Sequence, residues 1–352
     1  MRIPIECPAE TTGPCDIKGE NRLSIGQAAN ENAASQEKQC GRLFAKLWSR
    51  FAVLAALACV PGLLGFLSGM WWRFELLSHF RVQYAIVLGA LTIPFLVARR
   101  FRFAAVPGAC ALINIALILP LYFGPSNAEA DGPKLRILSA NVLTSNASHE
   151  RVIRLIHESE ADVVFLMEVN ERWVRALDPL QSEYPHWHAR PREDNFGVAF
   201  LSRVPLAEAE IMPSPKGRVP FVRVRLEREG RTMTLFGLHT LPPVSRRAAG
   251  IRNEQMAEAA LHVREGNDPV IVVGDLNMTS WSPAFRRFVR DTGLRDSRRG
   301  FGVQPTWPAF NPVLRVPIDH CLVSAKIVVR DRQVGPAVGS DHFPILIDVV
   351  VR

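Results

Sequence analysis

The sequence predicts a layered α/β sandwich, with two packed β-sheets flanked by helices, preceded by about three membrane-spanning helices. Three observations lead there. Residues 51–124 are almost uniformly apolar and are broken only by short polar clusters. From residue 134 onward, short β-branched runs alternate with a few segments of helical period. Polar and acidic residues stand at the ends of those runs, where one edge of a sheet would gather them on a rigid support. The 352 residues suit about two domains. The bulk composition, 48 % hydrophobic and 22 % charged, is ordinary and conceals this division.

Residues 1–45 are rich in Asn, Glu, Gln, Ser and Gly and carry no apolar period, which predicts a disordered or loosely structured tail. Three apolar segments follow within residues 46–124, at about 51–72, 82–98 and 103–123. The first and third are long enough to cross a bilayer, and the second is at the short limit. Trp71, Trp72 and Tyr122 sit at segment ends, where interfacial aromatics belong. A cleaved signal with a buried core helix is the competing reading, but a signal starts nearer the N-terminus. Ala56-Leu57-Ala58 before Cys59 faintly resembles a lipoprotein cleavage box, yet the apolar run continues past it. Arg42, Lys46 and Arg50 precede the first segment, and Arg99, Arg100 and Arg102 separate the last two. Basic flanks stay cytoplasmic, so three spans put the N-terminus inside and the C-terminal domain outside an inner or plasma membrane.

Residues 125–133 read as a linker and 134–352 as one domain. Strands are expected at 135–140, 163–168, 197–201, 219–226, 232–239, 270–273, 318–323 and 345–351, and helices at 149–160 and 253–264. Many strands with few helices fit packed sheets. Of six cysteines only Cys321 falls in this domain, which excludes an internal disulfide there, and no Cys/His zinc spacing occurs. The formal net charge of +8 is spread evenly along the chain. Such mild basicity suits an anionic ligand without the basic stripe of a dedicated nucleic-acid binder.

The candidate chemistry lies at the strand ends. Asn141 closes the first strand, Glu168 the next, and His239 another. Asp275 and Asn277 stand in Gly274-Asp275-Leu276-Asn277, Asp319 in a late strand, and Ser340-Asp341-His342 before the last. Singly, each has a bland reading as a turn former, a solvated carboxylate or a core histidine. Asp319, beside Ile318 and close to Leu322, is harder to set aside, because a buried carboxylate needs a partner. Together, one Glu, three Asp, two His and two amides favour an oxygen-seeking Mg²⁺ or Mn²⁺ over zinc. They supply what a phosphoester needs: charge neutralisation, an activated water and a stabilised leaving oxygen. Asn195 and Arg252, with Arg246 and Arg247, are candidate contacts to a substrate phosphate, a solvated charged face being the alternative. Trp281, Trp307 and Phe310 are candidates for an apolar rim, with core packing as the alternative.

In this order the motifs resemble the endonuclease/exonuclease/phosphatase superfamily over residues 134–352. The resemblance implies a four-layer α/β sandwich and metal-dependent phosphoester hydrolysis. It implies that Glu168 binds the metal with Asn141 and Asp341. It further implies that Asp319 orients His342, Asp275 positions or activates the nucleophile, Asn277 bonds the phosphate and His239 serves the leaving oxygen. Whether His342 or Asp275 is the base stays open. Joined to apolar spans, the domain resembles a membrane-anchored bacterial subset associated with glycopeptide resistance and polyprenyl diphosphate carriers. A linker of about ten residues reaches at most ~35 Å, which keeps the site near the bilayer and favours a lipid-linked substrate. An extracytoplasmic nuclease acting on DNA or RNA is the alternative, and a non-catalytic membrane scaffold a second.

Overall fold

A computed structural model describes residues 21–124, 131–212 and 219–352, with side chains from residue 35 onward. The chain divides into two units, Met1–Leu54 and Ala55–Arg352, and the second holds both sheets and the site.

Four helices come first: α1 (Asn21–Leu64), α2 (Trp72–Ser78), α3 (Arg81–Val97) and α4 (Phe101–Ile118). The expected loose tail is only partly within the described residues, and from Asn21 it is helical rather than loose. The Ala, Gln, Glu and Lys of residues 27–39 are good helix formers, and the apolar run prolongs the same helix. Ser35–Leu67 and Phe101–Leu121 are long and apolar enough to cross a membrane. The helices α2 and α3 are bent by 63° at their break and make a third such stretch only if they form one broken span. The first expected segment, 51–72, therefore ends early. A 3-10 turn at Gly65–Leu67 and an extended Trp71 stop α1, and the chain re-enters helix as α2.

The strands are β1 (Lys134–Asn141), β2 (Val163–Met167), β3 (His186–Arg190), β4 (Val198–Ser202), β5 (Leu206–Met212), β6 (Phe221–Arg228), β7 (Arg231–His239), β8 (Val270–Asp275), β9 (Arg295–Asp296), β10 (Asp319–Val323), β11 (Ile327–Val334) and β12 (Ile345–Val351). Between them lie helices α5 (His149–Ser159), α6 (Glu171–Leu177), α7 (Arg246–Glu265) and α8 (Pro283–Thr292). Two six-stranded mixed sheets result, in the orders β11-β12-β1-β2-β4-β3 and β5-β6-β7-β8-β10-β9. Their inner faces interleave Ile137, Phe165 and Phe200 with Val224, Leu235 and Val273. Val152, Ile156 and Trp173 of α5 and α6 cover the first sheet, and Met256 and Phe285 of α7 and α8 cover the second. Helix α7 starts seven residues before the expected 253, because Ser245 Oγ caps it by accepting from Ala248 N at 3.1 Å.

The parallel pairs β1–β2 and β7–β8 matter most for function. Each aligns its polar terminal residues: Asn141 faces Met167, just before Glu168, and His239 faces Asp275. Antiparallel β10 adds Asp319 directly opposite Asp275.

The helical segment is docked on this sandwich. Glu75 on α2 accepts from Arg252 of α7 at 2.7 Å and also from the Ser282 hydroxyl. His79 Nδ1 lies 3.0 Å from Thr279 Oγ1, and Trp281 Nε1 donates to the Leu117 carbonyl at 3.1 Å. Gly300 N and Gly302 N both donate to the Leu121 carbonyl. Arg252, expected as a substrate contact, is fully buried and committed to Glu75. An arginine without access to the site has no phosphate to meet.

Removing the Glu75 carboxylate would leave Arg252 charged, buried and unpaired, a loss of roughly 3–5 kcal/mol. Glu75→Ala should lower the thermal midpoint of the full chain, and the double variant Glu75→Leu with Arg252→Met should recover most of that loss. Equal midpoints for wild type and Glu75→Ala would show that the pair does not hold α2 in place.

Candidate active site

The site forms where strands of both sheets end together. Asn141 Nδ2 donates to Glu168 Oε1 at 2.9 Å and lies 3.4 Å from Asp275 Oδ2. Asn141 Oδ1 accepts from Leu143 N, which turns the chain out of β1. Glu168 has a left-handed φ of 62°, and Thr144 Oγ1 donates to its carbonyl at 3.0 Å. Leu143, Asn195 and Asn277 also have positive φ. Such backbones cost about 1–3 kcal/mol each and persist only where the surroundings over-determine them.

Asp275 depends on the residue before it. Gly274 has φ +136°, and a Cβ there would lie 2.0 Å from the Leu238 carbonyl, so β8 can pack against β7 only with glycine at this point. Asp275 Oδ1 then accepts from Asn277 N at 2.8 Å, and Asn277 Nδ2 donates to the Thr240 carbonyl. On the other side, Ser340 Oγ donates to the Asn141 carbonyl at 2.7 Å and accepts from His342 N, stitching the last motif onto β1. His342 Nδ1 lies 2.9 Å from Asp319 Oδ2, and its Nε2 3.6 Å from Asp275 Oδ2. His239 Nε2 stands 3.8 Å from Asp275 Oδ2 and 4.0 Å from Glu168 Oε1.

Electrostatics separate the two histidines. Burial disfavours a charged His342, but Asp319 and Asp275 overcome it and raise its pKa to about 10, so the ring is an imidazolium. Burial and the charge on His342 lower His239 to about 3, so that ring is neutral. Burial raises Asp275, and Asp319 adds to this while His342 opposes it. Burial also raises Glu168, against the pull of its hydrogen bonds from Asn141 and Thr144. Asp319 goes the other way: burial would raise it, but the charge and hydrogen bond of His342 hold it below the usual carboxylate range.

The donor set fits a divalent cation. Four carboxylates, those of Glu168, Asp275, Asp319 and Asp341, face a single imidazolium. Asp341 Oδ2 accepts from Trp307 Nε1 at 3.0 Å, while its buried Oδ1 has no partner among the described residues. Asp275, Asp319 and His342 offer ligand atoms within 4.8 Å of one another, but the Asp319–His342 pair is already spent on itself. The oxygens of Glu168, Asp341 and Asn141, with Asp275 beside them, are those able to hold a metal, and they are hard ligands.

The structure thus brings together Asn141, Glu168, His239, Asp275, Asn277, Asp319, Asp341 and His342. Asn195 is exposed beside Phe196, whose ring lies 5.1 Å from His239. Arg246 and Arg247 are exposed on the first turn of α7. Trp281 is not at the mouth: it is buried among Ile118, Leu121 and Val303, under α4. Trp307 is at the mouth, its ring 6.3 Å from that of His342. The sequence reading missed Thr144 and Thr240. Each hydroxyl or carbonyl serves a motif residue through the backbone, and nothing in the local pattern marks it.

A two-sheet sandwich with this buried carboxylate–histidine cluster defines a metal-dependent hydrolase of phosphoester bonds. The model of the Endonuclease/Exonuclease/phosphatase family matches residues 138–342, over half of the chain, and the chain belongs to that family. It is 27 % identical over 252 residues to a phospholipase C of Staphylococcus aureus, covering 58 % of this chain and 76 % of the relative. Among solved structures it resembles an endonuclease/exonuclease/phosphatase family protein from Bacteroides thetaiotaomicron (19 % identity, TM-score 0.53, 63 % of this chain and 100 % of that one). It also resembles D. rerio TDP2 complexed with a single-strand DNA product (20 % identity, TM-score 0.51, 61 % and 98 %). At these identities the structural likenesses establish the fold alone.

Asp319→Asn keeps the shape beside His342 Nδ1 and removes the charge. Turnover of a soluble phosphodiester should fall by about 10²–10⁴ with little change in thermal midpoint; undiminished turnover would separate this pair from the chemistry. Gly274→Ala should fail earlier, giving a destabilised or unfolded chain, because the clash is with backbone.

Proposed function

We propose that the chain is a membrane-anchored, Mg²⁺- or Mn²⁺-dependent phosphoesterase that hydrolyses a phosphoester or diphosphate bond of a lipid-linked substrate. The observation that carries this reading is the loop of residues 307–316. Its side chains Phe310, Val313 and Leu314 are 78, 72 and 49 % exposed. One end of the loop is fixed to the site, since Ala309 N donates to the Asp341 carbonyl at 2.7 Å. The other end is fixed to the first turn of α3, where Gln83 Nε2 donates to the carbonyls of Val313 and Arg315. An apolar rim held between the reaction centre and an apolar helix suits a substrate that carries its own hydrocarbon.

The residue roles follow from protonation and distance. Glu168 and Asp341, with Asn141 beside them, would hold the metal, which when bound would supply charge neutralisation and a lowered water pKa. Asp275, rather than His342, is the base, because His342 already carries its proton and Asp275 Oδ2 faces the cluster between His239 and His342. His342, oriented by Asp319, gives charged hydrogen bonding to the phosphate. Asn277 holds the Asp275 side chain and the phosphate in register. Neutral His239 offers an N–H to the leaving oxygen. Asn195 is the remaining candidate for substrate contact. The catalytic domain spans residues 134–352 and lies outside the cytoplasm, with the basic flanks of the apolar helices inside.

A substrate panel tests the reading on the full chain: a polyprenyl diphosphate, a sphingomyelin-type lipid, a nucleoside diphosphate and plasmid DNA, each with Mg²⁺ or EDTA. A lipid substrate should turn over with Mg²⁺ and not with EDTA. Cleavage of plasmid alone would replace the lipid reading with the nuclease one. No turnover of anything, with Glu168→Ala indistinguishable from wild type, would leave a scaffold. A reporter fused after Arg352 and active only outside the cytoplasm should be active; silence there would make an outer-leaflet substrate untenable.

A further inference from the structure

We propose that the hollow between the end of α4 and helix α8 binds the phosphate headgroup of an anionic phospholipid, at a site separate from the catalytic cluster. The hollow has a volume of about 380 Å³. Its floor is apolar, with Leu117 and Leu121 from the α4 side and Phe285 from α8, and Arg286, Arg290 and Arg299 stand around it. All three arginines are exposed. The one carboxylate in the lining, Asp296, is committed to Arg298 at 2.7 Å. Arg290 has a neighbour in exposed Asp291 at 3.1 Å, while Arg286 and Arg299 have no carboxylate partner among the described residues. Arg295, also in the lining, has a buried Nε with no hydrogen-bond partner among the described residues.

Three exposed guanidinium groups around an apolar floor offer an anion planar forks that match phosphate oxygens. The floor decides which phosphate. Leu117 and Leu121 belong to the stretch Phe101–Leu121, apolar and long enough to cross a bilayer. The apolar floor is therefore part of the same stretch of chain that would meet the bilayer. A ligand with phosphate at one end and hydrocarbon at the other satisfies both surfaces, whereas free phosphate leaves the floor unused. The inference rests on the membrane reading of α4 and not on the substrate reading.

The test uses the full chain in nanodiscs of phosphatidylcholine, with or without phosphatidylglycerol, and reads lipid retained on release into the gas phase by native mass spectrometry. Wild type should retain phosphatidylglycerol over phosphatidylcholine by about tenfold or more, at about one kcal/mol per arginine near a lipid phosphate. The triple variant Arg286→Gln, Arg290→Gln, Arg299→Gln should lose that preference and keep its turnover of a soluble phosphodiester. A control removing equal charge elsewhere, Arg151→Gln, Arg154→Gln, Arg172→Gln, should keep the preference. Equal retention of both lipids by wild type would overturn the proposal, as would loss of preference in the control. Displacement of the lipid by millimolar inorganic phosphate would assign the hollow to free phosphate and overturn it as well. Extraction of the chain from membranes without detergent would count against the anchor itself, independently of which lipid is retained.

Discussion

Three carboxylates are buried and a fourth, Asp341, is half-buried at one end of a protein sandwich around a single positive ring, and much of the structure answers to that constraint. Like charges in a low dielectric repel strongly and favour neutral forms. Here the repulsion is divided. Asp319 is neutralised by the His342 imidazolium at 2.9 Å, which leaves Glu168, Asp275 and Asp341 with unspent negative potential. That remainder suits a cation, while burial, helped by the neighbouring carboxylates Asp319 and Glu168, raises the pKa of Asp275. Burial and the charge on His342 keep His239 neutral against the carboxylates, so two histidines a few ångströms from one carboxylate differ in charge.

The scaffold explains how such crowding is held. Parallel pairing of β1 with β2 and of β7 with β8 aligns strand ends without a connecting turn in the way. The polar residues therefore sit on the last rung of paired strands rather than on free loops. Gly274 allows β8 to approach β7 closely, and Ser340 ties the final motif to β1. Positive φ at Glu168 and Asn277 shows that the backbone yields to the site there, and not the site to the backbone.

The central strands and the catalytic cluster were legible because both leave strong local marks. β2 and β4 are buried on both faces and read as unbroken apolar runs, and Asn141, Glu168, His239 and Asp275 end or directly follow apolar runs. The edge strands were not legible: β3 and β5 mix His, Arg and Glu with apolar residues, and neither has a clean alternation. Helices α6 and α8 are short and follow immediately on motif loops, which hides their start. Arg252 misled because α7 is Arg-rich and reads as a solvated face; nothing nearby in sequence announces Glu75, 177 residues away. Trp281 misled for the same reason, since its partner is a backbone carbonyl on α4.

The docking of α2 has a practical meaning for anyone preparing this protein. The covalent junction near residue 131 looks like a convenient place to cut, but it is not where the folded body ends. A fragment starting there would carry a bare, buried Arg252, a Ser282 that has lost its acceptor and a Trp281 stripped of its cover. Such a fragment would lose stability for reasons unrelated to its chemistry, and a silent assay on it would say nothing about the enzyme. A faithful specimen begins upstream of Glu75.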